Sequence, residues 1–131
     1  MIKQDYLIRM ILEIITLIAN ALLNQQKIRP QNWVEYDCLT RQILEVPSDQ
    51  LKDMLPEEII DKYKDDTNRM GKIELAAMTL LKISDELESD NLLLKSKLKQ
   101  NGIKLLKFVQ TQGDTFSLQR MSLISLLERG N

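Results

Sequence analysis

The chain contains no histidine. The side chain that most often acts as a general base near neutral pH, and most often ligates a metal, is therefore missing. It has one cysteine, Cys38, so no disulfide can form within the chain. That usage fits a reducing compartment. Glycine (4) and proline (3) are scarce, which leaves few of the turn signals that an all-β chain of this length requires. Aromatic residues make up only 5%. A charge excess is missing too: 18 Lys+Arg face 19 Asp+Glu. Nonspecific nucleic-acid binders normally carry a basic surplus, so that class is disfavoured.

What remains is rich in Leu, Ile, Lys, Glu and Gln, which are good or tolerable helix formers. At 131 residues and 44% hydrophobic, the chain is expected to be one domain, 1–131, with a core that needs neither disulfides nor metals. The expected class is all-α.

The most apolar stretch is QDYLIRMILEIITLIANALL at 4–23. On a helix over 2–26, Asp5, Arg9, Glu13, Thr16, Asn20 and Asn24 recur at spacings of 4, 4, 3, 4 and 4 and form one polar stripe. Asp5, Arg9 and Glu13 are spaced to pair along it. The apolar residues cover roughly 200° of the circumference, where an ordinary surface helix needs about 100°. A membrane span would place Glu13 near its middle at a cost of about 2.5–3.5 kcal/mol, which the many Leu and Ile could offset. The continuous charged edge argues against a span, because lipid gives it no partner. Asp5 and Glu13 also fall where a signal peptide needs a basic start and a clean apolar run, although Ala19-Asn20-Ala21 resembles a cleavage site. The stretch is read as a core helix with neighbours on two sides: two helices of its own chain, or one helix and a second subunit.

Pro30 opens a second helix carrying Trp33, Tyr36, Leu39, Ile43 and Val46 and ending at Pro47. Ser48 is expected to cap a short helix with Leu51, Met54 and Leu55, and Pro56 starts another with Ile59, Ile60 and Tyr63. A long helix over 69–88 has Ile73, Ala76, Ala77, Leu80, Ser84 and Leu87 on its inner face. Ser89-Asp90 caps the next, over 91–111, whose inner face is Leu94, Leu98, Gly102, Leu105 and Val109. Gly102 costs about 1 kcal/mol relative to Ala, so its place on the buried stripe predicts close contact with the preceding helix. Gly113 ends that helix. Asp114 is expected to cap a last one, lined by Leu118, Met121, Leu123, Ile124 and Leu127 and ended by Gly130. The result is about six helices in stacked antiparallel hairpins, 2–46 and 69–111, with a final helix over the end.

QDYLIRMI at 4–11, KIELAAMTLLKISDELES at 72–89 and TFSLQRMSLISLLE at 115–128 resemble a family of small bacterial all-helical proteins that is similar to tetratricopeptide-repeat proteins. The resemblance covers most of the chain and is weakest over 27–50. It implies a tetratricopeptide-like fold and no particular chemistry. Ala77 and Leu80 fit the small and large positions of the repeat's first helix, and Gly102 the small position of its second. The helices over 69–111 are longer than the roughly 34-residue repeat, and no second copy of the pattern follows.

No catalytic constellation stands out. Cys38 has no histidine partner and reads as a structural or partly buried thiol, with Asp37 and Arg41 acting on it in opposite senses. Asp66-Thr67-Asn68-Arg69-Met70-Gly71 looks like the start of a calcium loop. However, Met70 and Ala77 stand where that loop needs ligands, so a turn and helix cap is expected. Glu57, Asp61 and Asp65 form a solvated edge, while Glu58 is spaced to pair with Lys62. Lys95, Lys97, Lys99, Lys104 and Lys107 lie in a stretch free of acids, and Lys97, Lys104 and Lys107 share the face opposite the apolar stripe. They are the candidates for phosphate contacts, although no aromatic interleaves with them.

The expected function is therefore non-enzymatic, with no cofactor and no metal: a cytoplasmic module for protein–protein contact or self-association as a homodimer. The candidate partner surface is Ile8, Ile11 and Ile15 on the first helix, with Trp33 and Tyr36 as either core or anchors. The alternative is a nucleic-acid-associated protein that uses the lysine-bearing helix at 91–111.

Overall fold

The computed structural model describes residues 3–129. Among them, seven helices form and no strand: α1 Gln4–Leu23, α2 Pro30–Leu44, α3 Ser48–Leu51, α4 Pro56–Lys62, α5 Arg69–Glu86, α6 Leu92–Gln112 and α7 Leu118–Arg129. A 3-10 turn, Ser89–Asn91, joins α5 to α6. The all-α class expected from composition is the one observed. Ile2 and Gly130, expected at the outer ends of the first and last helices, lie outside the described residues.

Helix α5 is the hub. It packs against α6 along its length and also meets α1, α2, α3 and α4. Eleven of its 18 residues are buried, among them Lys72, Thr79, Lys82 and Ser84. The inner face predicted from spacing is buried as expected, apart from half-buried Leu87. What spacing did not reveal is that the opposite face is covered too.

Gly102 allows α6 to lie this close. A Cβ there would come within 2.6 Å of Leu81 Cγ and 3.2 Å of the Ala77 carbonyl oxygen. No methyl group fits without displacing Leu81, so the propensity cost of this glycine is offset by close helix contact.

Polar groups at the helix ends are satisfied by long side chains. Lys95 Nζ donates to the carbonyls of Ser84 (2.7 Å) and Leu87 (3.2 Å), and Lys27 Nζ to that of Asp85 (2.6 Å). Two ammonium groups thus sit at the negative end of the α5 dipole. Tyr63 Oη donates to the Leu44 carbonyl at 2.7 Å, which serves the end of α2. Burial pushes the Tyr63 phenol well up, with help from the charges of Glu45 and Asp66, so it stays a donor.

Several helix boundaries differ from expectation. Helix α2 stops at Leu44, before Pro47, because Glu45 takes a left-handed backbone with φ 59°. Ser48 is the first residue of α3 and makes no capping bond; Pro47 precedes it. Ser117, not Asp114, caps α7, accepting from the Arg120 N–H at 3.1 Å. Glu58 does not pair with Lys62. It accepts from the Leu55 N–H at 2.7 Å, an orphan donor at the start of α4.

The inner face of α7 is also rotated from the expected one. Leu118 and Met121 are exposed, at 76% and 42%, while Arg120, Leu123 and Ile124 point inward. Arg120 donates through Nε and Nη2 to both Glu74 oxygens, at 2.8 and 3.0 Å. It also donates to Gln110 and, at 3.3 Å, to the Thr115 carbonyl. This buried bidentate pair fixes α7 to α5 and α6, and it turns the helix away from the purely apolar solution.

Candidate interaction surface

Helix α1 is the only one among the described residues long and apolar enough to cross a membrane. Yet just five of its 20 residues are buried: Ile11, Ile14, Ile15, Ile18 and Ala19. These five belong to the core that α1 shares with α5 and α7. Ile11 and Ile15, expected at a partner surface, are therefore interior. The wide apolar arc is covered on two sides by helices of the same chain. Of that expected trio, Ile8 remains on the surface, at 43% exposure. Leu12 at 57% and Tyr6 at 44% join it, and neither was singled out from the sequence.

The polar stripe between them is open. Arg9 and Glu13 are exposed and make no ion pair or hydrogen bond among the described residues; nor does Asp5. The expected pairing along the stripe does not form. An exposed i,i+4 pair gains little over hydration and loses side-chain freedom, so its absence is physically ordinary.

A groove of about 540 Å³ runs beside this edge. Ile8, Ile11 and Leu12 form one wall, and Arg69, Met70 and Gly71 at the start of α5 form the other. Asp114 and Thr115, from the α6–α7 connection, also line it. Phe116, the next residue, is 65% exposed. The Arg69 guanidinium stacks 5.4 Å from the Phe108 ring centroid, and its Nε is buried without an acceptor. Nothing in the spacing of the sequence announced this groove, because its walls come from three distant segments.

The other candidates are more fully occupied. Trp33 and Tyr36 are half-buried against the core, with ring centroids 6.3 Å apart. The Lys82 ammonium lies 4.4 Å from the Trp33 centroid and pairs with Glu86 at 2.7 Å, so one indole face is taken. Cys38, expected to be partly buried, is exposed on the rim of this shallow site. Asp37 and Arg41 pair with each other at 3.6 Å. Of the phosphate candidates, Lys107 pairs with Glu128 of α7, and Lys104 approaches Glu57 of α4 at 4.0 Å. Lys97 is exposed.

The 66–71 turn holds its own counter-charge. Asp66 accepts from Lys72 Nζ at 2.6 Å and from the Asn68 N–H at 2.7 Å. Burial alone would raise the Asp66 carboxyl; the Lys72 hydrogen bond, the Asn68 N–H and the Lys72 charge outweigh it and hold the group below its ordinary value. Among the described residues, no group of three or more Cys, Asp or Glu side chains is placed to hold a metal ion.

Comparison with protein-family models, with characterised proteins and with solved structures gives no match for this chain.

Proposed function

We propose that this chain is a non-enzymatic, tetratricopeptide-like module of stacked helical hairpins, cytoplasmic and bacterial, that works by protein–protein contact. The docking face is the outer edge of α1 with the adjoining groove: Ile8, Leu12, Met70 and Thr115. The observation that supports this is the mismatch in α1. It is the most apolar helix among the described residues, and it leaves Ile8 and Leu12 exposed one turn apart, beside Arg9 and Glu13, which have no partner among those residues. Scattered single hydrophobic residues need no explanation, whereas a cluster rimmed by polar groups marks contact sites. A nucleic-acid role for Lys97, Lys104 and Lys107 is weakened by the carboxylates beside two of them.

The test is site-specific photocrosslinking in cells, with the reactive residue at Leu12 and, as a control, at exposed Gln100 on α6. Defined protein adducts at position 12 and none at position 100 are expected. No adduct at position 12 would sink the proposal.

A further inference from the structure

We infer that the partner on the α1 edge is a second copy of this chain, packed with its α1 antiparallel across a two-fold axis beside Leu12. The inference rests on the interaction reading above and names the occupant. Charge complementarity carries it. Arg9 and Glu13 lie one turn apart on the same side of the exposed stripe, both unpaired among the described residues. In an antiparallel pair of identical helices, residues on the same side face one another. With the axis at the level of Ile11, Arg9 of each copy meets Glu13 of the other, so one contact satisfies four charges. The same register brings the two Leu12 side chains together at the axis and shields Ile8 on the flank. Helices that cross at about 20–50° diverge away from the crossing. Asp5, six residues from the axis, therefore stays at the water edge.

A membrane surface is the other claimant for an apolar helix edge, and it fits less well. Helices that lie on membranes carry Lys and Arg along the polar face. Here that face holds Asp5 and Glu13 against Arg9.

The experiment is sedimentation velocity over a wide concentration range on the wild type, Arg9→Glu, Glu13→Arg and an equimolar mixture of the two variants. Both positions are exposed, and circular dichroism is to check that each variant is folded. The wild type is expected to dimerise. Each variant alone opposes like charges twice and is expected to dimerise at least tenfold more weakly. The mixture restores both opposite-charge contacts in a heterodimer, so association returns. A wild type that stays monomeric, variants that dimerise as well as it does, or a mixture that fails to recover would each overturn the inference. Monomers that still give Leu12 adducts with another protein would leave the interaction reading standing and reject the second copy. A monomeric wild type that floats with anionic phosphatidylglycerol vesicles would assign the edge to a membrane, against both. A monomer with neither adducts nor vesicle binding would end both.

Discussion

Helices α1 and α5 invert the simple relation between hydrophobicity and burial. Helix α1 is apolar enough to span a membrane, and five of its 20 residues are buried. Helix α5 carries Lys72, Glu74, Thr79, Lys82 and Ser84, and eleven of its 18 are buried. Position in the fold makes the difference. A helix with neighbours on every side must bury whatever it carries, so its polar groups need partners. Lys72 has Asp66, Lys82 has Glu86 and the Trp33 face, and Glu74 has Arg120. A helix at the edge has an outer side that the described residues leave uncovered. Polar residues on the hub are buried with partners, and apolar residues on the edge stay exposed.

The comparison breaks most visibly between neighbouring residues of α1. Ile11→Glu puts an unpaired charge at a position 3% exposed and is expected to unfold the chain. Leu12→Glu, one residue on, should keep the far-ultraviolet spectrum and change the stability of the isolated chain by no more than about 0.5 kcal/mol. If both variants unfold, α1 is buried all round and has no free edge.

The hub gives the next largest effect. Glu74→Ala strands the Arg120 guanidinium at a side-chain exposure of 6%. A loss of about 3–5 kcal/mol in urea denaturation is expected, while a double variant with Glu74→Leu and Arg120→Met recovers most of it. Equal loss in the single and double variants would mean that packing, not the stranded charge, is responsible.

Gly102→Ala tests the α5–α6 contact. The added methyl must displace Leu81, which costs about 1–3 kcal/mol, against a helix-propensity gain of about 1 kcal/mol. A small net destabilisation is expected. A clear gain in stability would show that the helices have room to separate.

The smallest effect is titration of Asp66. Its folded pKa lies below its ordinary value of 3.8, so its contribution is present above that pH. The contribution is lost as pH falls through the folded value. The stability difference between the wild type and Asp66→Asn should therefore be larger at neutral pH than in strong acid. A difference independent of pH would show that the Asp66–Lys72 pair does not stabilise the fold.

Much of the scaffold was legible in the sequence because helices announce themselves through periodicity. The buried stripes of α5 and α6, the close contact at Gly102 and the start of α2 at Pro30 all follow from spacing and residue type. What spacing cannot carry is long-range polar pairing. Arg120 is not on the inner face that spacing predicts; beside Glu74, distant in sequence, it points inward, while Leu118 and Met121 face outward. The same limit explains the α1 surface. Periodicity identified a wide apolar arc, but only the positions of α5 and α7 decide that Ile11 and Ile15 lie inside while Ile8 and Leu12 lie outside.

If a second copy of the chain occupies the outer edge of α1, as proposed, folding and association are linked. The most direct measurement is the urea midpoint as a function of protein concentration, for the wild type and Leu12→Glu in parallel. Association stabilises the folded state by mass action. The wild-type midpoint is expected to rise with concentration and the Leu12→Glu midpoint to stay flat. Two flat lines, or two lines that rise together, would contradict it.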